Sequence, residues 1–94
     1  MTMTQARFSL GQTVATPGAL EAFARNAEQY MPYVDRHASG DWGTVCREDK
    51  AANNQALANG DRLLSAYALS DGTKVWIITE ADRSSTCILL PSEY

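Results

Sequence analysis

The feature that most constrains the fold is the last third of the chain, "DRLLSAYALSDGTKVWIITEADRSSTCILLP". It holds three runs rich in β-branched and aromatic residues, at 62–69, 73–80 and 85–90, which read as strands. Asp71-Gly72 between the first two is a hairpin signal, because both residues tolerate positive φ at the centre of a tight turn. The "EADRSS" stretch turns the chain again. Val75 to Ile78 is apolar on both faces, as expected of a central strand covered on one side and partly on the other. An antiparallel meander of this kind needs a cover, and the economical one is a layer of helices on one face. The expected fold class is α+β.

The first two thirds supply that cover. "ARFSLGQTVATPGALEAF" opens with alternating residues around Gly11, which predicts a short strand or hairpin over 6–15. Thr16 before Pro17 is an N-cap followed by proline at the first helical position. The helix is expected over 17–28, burying Leu20, Phe23, Ala24 and Ala27 at i, i+3, i+4 and i+7. Pro32 starts a second short helix that ends near Ala38, where Gly40 tolerates the positive φ of a helix C-terminus. Thr44 is a candidate cap for a third helix over 45–58, with Glu48 and Asp49 in its first turns and Asn59-Gly60 at its end. Most of "EDKAANNQ" reads as a solvated face, with Asn53 the exception, sharing a face with Leu57 and tying the helix to the loop before it.

A chain of 94 residues supports a single domain with one core, and 45% hydrophobic with 20% charged residues is the balance of an ordered globular domain. Met1 to Gln5 are expected to be loose. No apolar run approaches the roughly 20 residues that cross a bilayer, and the start lacks a basic segment followed by an apolar one. A cytoplasmic location is therefore expected. Cys46 and Cys87 lie far apart without metal-site spacing, so two free thiols are the expectation, although Cys46 follows the single histidine, His37, closely enough to leave a pairing open. A net charge of −3, with two lysines and six scattered arginines, argues against a general grip on nucleic acid and is compatible with docking on a basic protein surface. No Walker loop, GxGxxG, GxSxG, repeat or linker is present, and nothing calls for a cofactor or a metal.

Two polar clusters carry the chemistry. In "RHASGDWG", residues 36–43, His37 and Asp41 lie four apart and could orient one another as base and partner, while Arg36 could hold an anion bidentately. The structural alternative has Asp41 capping the turn, Trp42 filling the gap between helices and sheet, and His37 closing its helix. In "TEADRSST", residues 79–86, Glu80, Asp82 and Arg83 crowd a hairpin tip, either as a solvated turn or as a contact surface. Arg36, His37, Asp41, Trp42, Glu80, Asp82 and Arg83 are the candidate partner-binding residues, with no residue assigned a catalytic role.

"RHASGDWG", followed by "EDKAANNQAL", "GDRLLSAY", "KVWIITEADRSST" and "LLPSEY", resembles a family of small plasmid-related proteins carried by plasmids and integrative elements of proteobacteria. The resemblance runs from about Gly11 to Tyr94, with departures from the family's polar or threonine-like pattern at Cys46, Asn54 and Cys87. Some members are labelled restriction-modification subunits, but this chain is too short for a doubly wound cofactor-binding domain and lacks its glycine fingerprint. The mobile-element association implies a small non-enzymatic protein that inhibits host defence, anti-CRISPR or anti-restriction, by docking on an effector protein. The alternative is a metal-independent ribonuclease of barnase-like or RelE-like layout, with His37, Glu80, Arg83 and Tyr67 in the catalytic parts. A homodimeric regulator or antitoxin is the third reading.

Overall fold

The computed structural model describes residues 6–94, so the expectation for Met1 to Gln5 lies outside the described residues. The chain forms β1 (Gln12–Ala15), α1 (Pro17–Arg25), α2 (Met31–Ala38), α3 (Arg47–Asn59), β2 (Leu63–Ala68), β3 (Lys74–Thr79) and β4 (Ser85–Leu89), then a 3₁₀ turn at Pro91–Glu93. The fold is α+β. β2, β3 and β4 form the antiparallel meander, and β1 joins it in parallel beside β4, giving a mixed sheet of order β1-β4-β3-β2. Among the described residues no helix is long and apolar enough to cross a membrane.

Register puts Ser65 opposite Ile77, Ile77 opposite Ile88, and Ile88 opposite Ala15, so these residues share one face of the sheet. Tyr67, Leu69 and Val75 continue that face and pack with Ala19, Ala22 and Phe23 of α1 and Val34 of α2. A smaller cluster at the β2 end joins Trp42, Ala56 of α3 and Leu63, with Phe8, Val45 and Leu57 against it. β3 is the interior strand that the apolar run at Val75–Ile78 calls for.

Four local expectations are corrected. Helix α1 stops at Arg25 because Ala27 adopts a left-handed φ of 52° and the Glu28 N–H donates to the Phe23 carbonyl at 2.9 Å, a helix end made without glycine. Its buried stripe is Ala19, Ala22 and Phe23, while Leu20, Ala24 and Ala27 are exposed. Thr44 does not cap α3. Its N–H and hydroxyl both donate to the Ala66 carbonyl, at 2.7 and 3.2 Å, and Cys46 takes the cap position with no side-chain hydrogen bond. At the hairpin, only Gly72 takes positive φ, and the bonds Gly72 N–H to Leu69 O and Leu69 N–H to Thr73 O close a three-residue loop.

Asn53 is buried and faces Leu57's side as expected, but it holds the sheet rather than the loop. Its amide donates to the Leu64 carbonyl at 2.7 Å and accepts the Leu64 N–H at 3.1 Å. Ala66, two residues on, donates to the Trp42 carbonyl at 3.1 Å and accepts from Thr44, with Gly43 bridged to it in parallel. The outer edge of β2 is thus closed by a side-chain amide and by three residues of the junction loop.

Candidate functional site: the helix-to-helix junction and the hairpin tip

The 36–43 segment closes α2 and leads to α3, and its residues divide by direction. His37 sits on the inner face of α2 and is completely buried. Its Nδ1 lies 2.5 Å from Ser65 Oγ and its Nε2 lies 2.9 Å from Thr79 Oγ1. The chain of bonds continues from Thr79 to Thr86 at 2.7 Å, and the Thr86 hydroxyl donates to the Leu10 carbonyl at 2.7 Å. That last bond uses Thr86's proton, so Thr79 must donate to Thr86 and the His37 Nε2–H must donate to Thr79. His37 is therefore the Nε2–H tautomer, and its Nδ1 accepts from Ser65. Phe8 and Trp42 close the ring in, with centroids 5.3 and 5.7 Å from it.

Burial lowers the His37 pKa to about 4, with the positive charge of Arg83 adding to the effect. Since the unfolded chain takes up this proton near pH 6.5 and the folded chain only near 4, protonation favours unfolding between those values. The stability contributed by the neutral ring is complete above pH 6.5 and falls by roughly 3 kcal/mol as the pH drops to 4. As the only histidine, His37 gives one pair of imidazole C–H signals in proton NMR, and their midpoint is expected near 4. A midpoint at the ordinary value would mean an open, hydrated ring.

The remaining junction residues face solvent or brace the loop. Arg36 donates from Nε to Asp41 Oδ2 at 2.7 Å, and its guanidinium carbon lies 4.6 Å from the Tyr67 ring centroid and 5.8 Å from that of Tyr33. The hydrogen bond from Arg36 holds the Asp41 carboxyl below its usual range, helped by the Gly43 N–H. The Tyr67 hydroxyl donates to the Asp41 carbonyl at 2.5 Å, and burial pushes its own pKa up to about 12. Trp42 is buried, donating Nε1–H to Asn54 Oδ1 at 3.1 Å. Beside it, Gly40, Asp41, Trp42, Gly43, Lys50 and Asn54 line a shallow cleft of about 260 Å³.

At the hairpin tip Arg83 is consumed by carbonyls. It donates to Asp61 O at 2.6 Å, to Ala56 O at 3.1 Å and to Glu80 O at 3.1 Å, which fixes the tip against the C-terminal end of α3, where the helix dipole favours a cation. Its guanidinium carbon also lies 5.7 Å from the Phe8 ring, so the two polar clusters meet in the interior at Phe8. Glu80 and Asp82 are exposed, and the Asp82 carboxylate accepts the Ser84 N–H at 3.0 Å. Their hydrogen bonds remain within the turn.

Sequence reasoning did not single out Phe8, Lys50 or the Ser65, Thr79 and Thr86 hydroxyls. The last three had a signal: each alternates in phase with Leu63, Tyr67, Ile77 or Ile88, which places a hydroxyl on the inner face of its strand. Cys46 is exposed and Cys87 half-buried, both free thiols, with His37 committed to other partners. Among the described residues no group of three His, Cys, Asp or Glu side chains could hold a metal ion. Compared with protein-family models, curated proteins and solved structures, the chain matches none.

Proposed function

We propose that this chain is a non-enzymatic binding protein of mobile genetic elements that docks on a bacterial defence effector through the surface around Arg36 and Asp41. The observation that carries the reading is the division of labour in the junction. His37 and Tyr67 are engaged inside the fold, whereas Arg36 and Asp41 face outward, held by each other and by Tyr67. A pre-ordered arginine loses little side-chain entropy on binding, and arginine is over-represented among residues that dominate interface energy. The net charge of −3 complements the basic surface with which a restriction or CRISPR effector holds nucleic acid. Inhibition would be by occlusion, over a face of about 800 Å² per partner, in the cytoplasm and without turnover.

The ribonuclease reading needs His37 and Tyr67 to reach substrate. The ring nitrogens of the one and the hydroxyl of the other are engaged inside the fold, which weighs against it. The test is the transformation efficiency of a plasmid bearing target sites, in strains with an active restriction or CRISPR effector. Expression of the chain should raise efficiency at least about tenfold against one of them, the factor that a 1.4 kcal/mol advantage at the effector would produce. The Arg36→Glu, Asp41→Arg double variant, which keeps an ion pair but reverses the surface, should lose the effect. Unchanged efficiency in every strain would sink the proposal, and growth arrest abolished by Glu80→Gln, a change at an exposed position that spares the core, would favour the ribonuclease instead.

A further inference from the structure

The two edges of the sheet are treated differently. While the edge of β2 is closed by Asn53 and residues 42–44, β1 carries the sequence Gln-Thr-Val-Ala, with none of the lysine, proline or bulge that ordinarily blunts an edge. Pairing in parallel with β4, through Gln12 N–H to Ser84 O and Thr16 N–H to Ile88 O, turns the even-numbered residues of β1 inward. The N–H and C=O groups of Thr13 and Ala15 therefore point away from the sheet, and among the described residues nothing bonds to them.

Apolar surface flanks this open edge on both sides. Val14, 43% exposed, shares its face with Cys87, opposite the helix layer. On the helix side, Leu20 and Met31, 46% and 48% exposed, join Tyr30 along a groove of about 280 Å³ that runs against Thr13 and Ala15. No residue lining the groove is charged, although the chain as a whole carries −3.

We infer that β1 is a homodimer edge: two copies pair their β1 strands antiparallel about a two-fold axis through Val14, forming one continuous eight-stranded sheet. The pattern is self-complementary. Thr13 faces Ala15 of the second copy and exchanges two hydrogen bonds with it, the symmetric pair adds two more, and Val14 meets its own copy in the close, non-hydrogen-bonded position. The uncharged strip lets two acidic chains approach without placing like charges together, and it offers a charged partner no counterpart. Leu20, Tyr30 and Met31 then cover the junction on the helix side and the two Val14 side chains cover it on the other. This inference stands apart from the docking face, which lies toward the opposite edge of the sheet.

Sedimentation velocity over a wide concentration range tests it, with the full chain and two variants. The wild type should reach twice the 10.3 kDa of one chain as concentration rises. Thr13→Pro removes only an outward N–H, and Val14→Lys sets two ammonium groups face to face at the axis, so both should sediment at the mass of one chain with unchanged circular dichroism. A wild type that stays at 10.3 kDa at the highest concentration, or a dimer that survives either substitution, overturns the inference. Should a variant fail to fold, amide exchange in the wild type decides. Slow exchange at Thr13 and Ala15 that appears only with dimer supports the edge, and rapid exchange at both within a dimer overturns it.

Discussion

His37→Ala should lower the unfolding free energy by about 4 kcal/mol. The ring bonds to Ser65 on one side and to Thr79 on the other, and all three are buried. Truncation leaves Ser65 without an acceptor at that position and Thr79 without a donor, each a cost of about 1–3 kcal/mol, and opens a cavity between the Phe8 and Trp42 rings. At about 4–8 °C per kcal/mol for a domain of this size, the melting temperature should fall by some 15–30 °C. His37→Phe separates the contributions, since it restores most of the volume but none of the bonds. It should recover part of the loss at neutral pH and abolish the dependence of stability on pH between 6.5 and 4 that belongs to the histidine. A loss below about 1 kcal/mol in the alanine variant would mean that the buried chain contributes no more than an exposed hydrogen bond.

Gly43→Ala should cost about 3 kcal/mol, for a different reason. Gly43 has φ of +75°, and a Cβ there would lie 1.9 Å from the Ala66 carbonyl oxygen and 2.7 Å from Cδ1 of Tyr67. Neither neighbour can move freely, as one is strand backbone and the other a ring packed in the core. Residues 42–44 would have to lift off β2, breaking the bonds between Trp42, Thr44 and Ala66. Gly72→Ala is the control, because it shares a positive φ of +86° and meets nothing within 4 Å. Urea unfolding should show the Gly43 variant about 2 kcal/mol less stable than the Gly72 variant, the part due to overlap rather than to backbone conformation. Equal losses would mean that the bridge to Ala66 yields without penalty.

Local chemistry was legible wherever one residue decides the local structure. Thr16 caps α1, accepting the Ala19 N–H at 3.2 Å, with Pro17 in the first turn, and the three β-branched runs became the meander with their turns in place. Gly60 ends α3 in the left-handed conformation. What the pattern hid depends on tertiary partners. Ala27 ends α1 at a φ that alanine disfavours, so no breaker marks the stop. Thr44 looks like a cap in sequence and is drawn to Ala66 by the sheet edge. Leu20 belongs to a plausible apolar stripe, yet the helix is rotated so that alanines meet the sheet and Leu20 lines the open groove. The site was half legible. Glycine and aspartate identified a junction, but whether His37 turned inward depended on hydroxyls 28 and 42 residues away along the chain.

The hydrogen-bonded chain through His37 also sets a timetable. It ends where Thr86 donates to the carbonyl of Leu10, 76 positions earlier, and within the chain, among the described residues, β1 pairs with β4. On the ribosome, β1 emerges before the meander and waits, with its edge unpaired, until β4 has been made. Hairpins β2–β3 and β3–β4 form from close neighbours, whereas docking of β1 closes the longest loop of the three strand pairings and comes late. Nascent chains that stop short of β4 would carry an orphaned β1 and a Thr79 hydroxyl without its Thr86 acceptor, although His37 would already have both of its own partners.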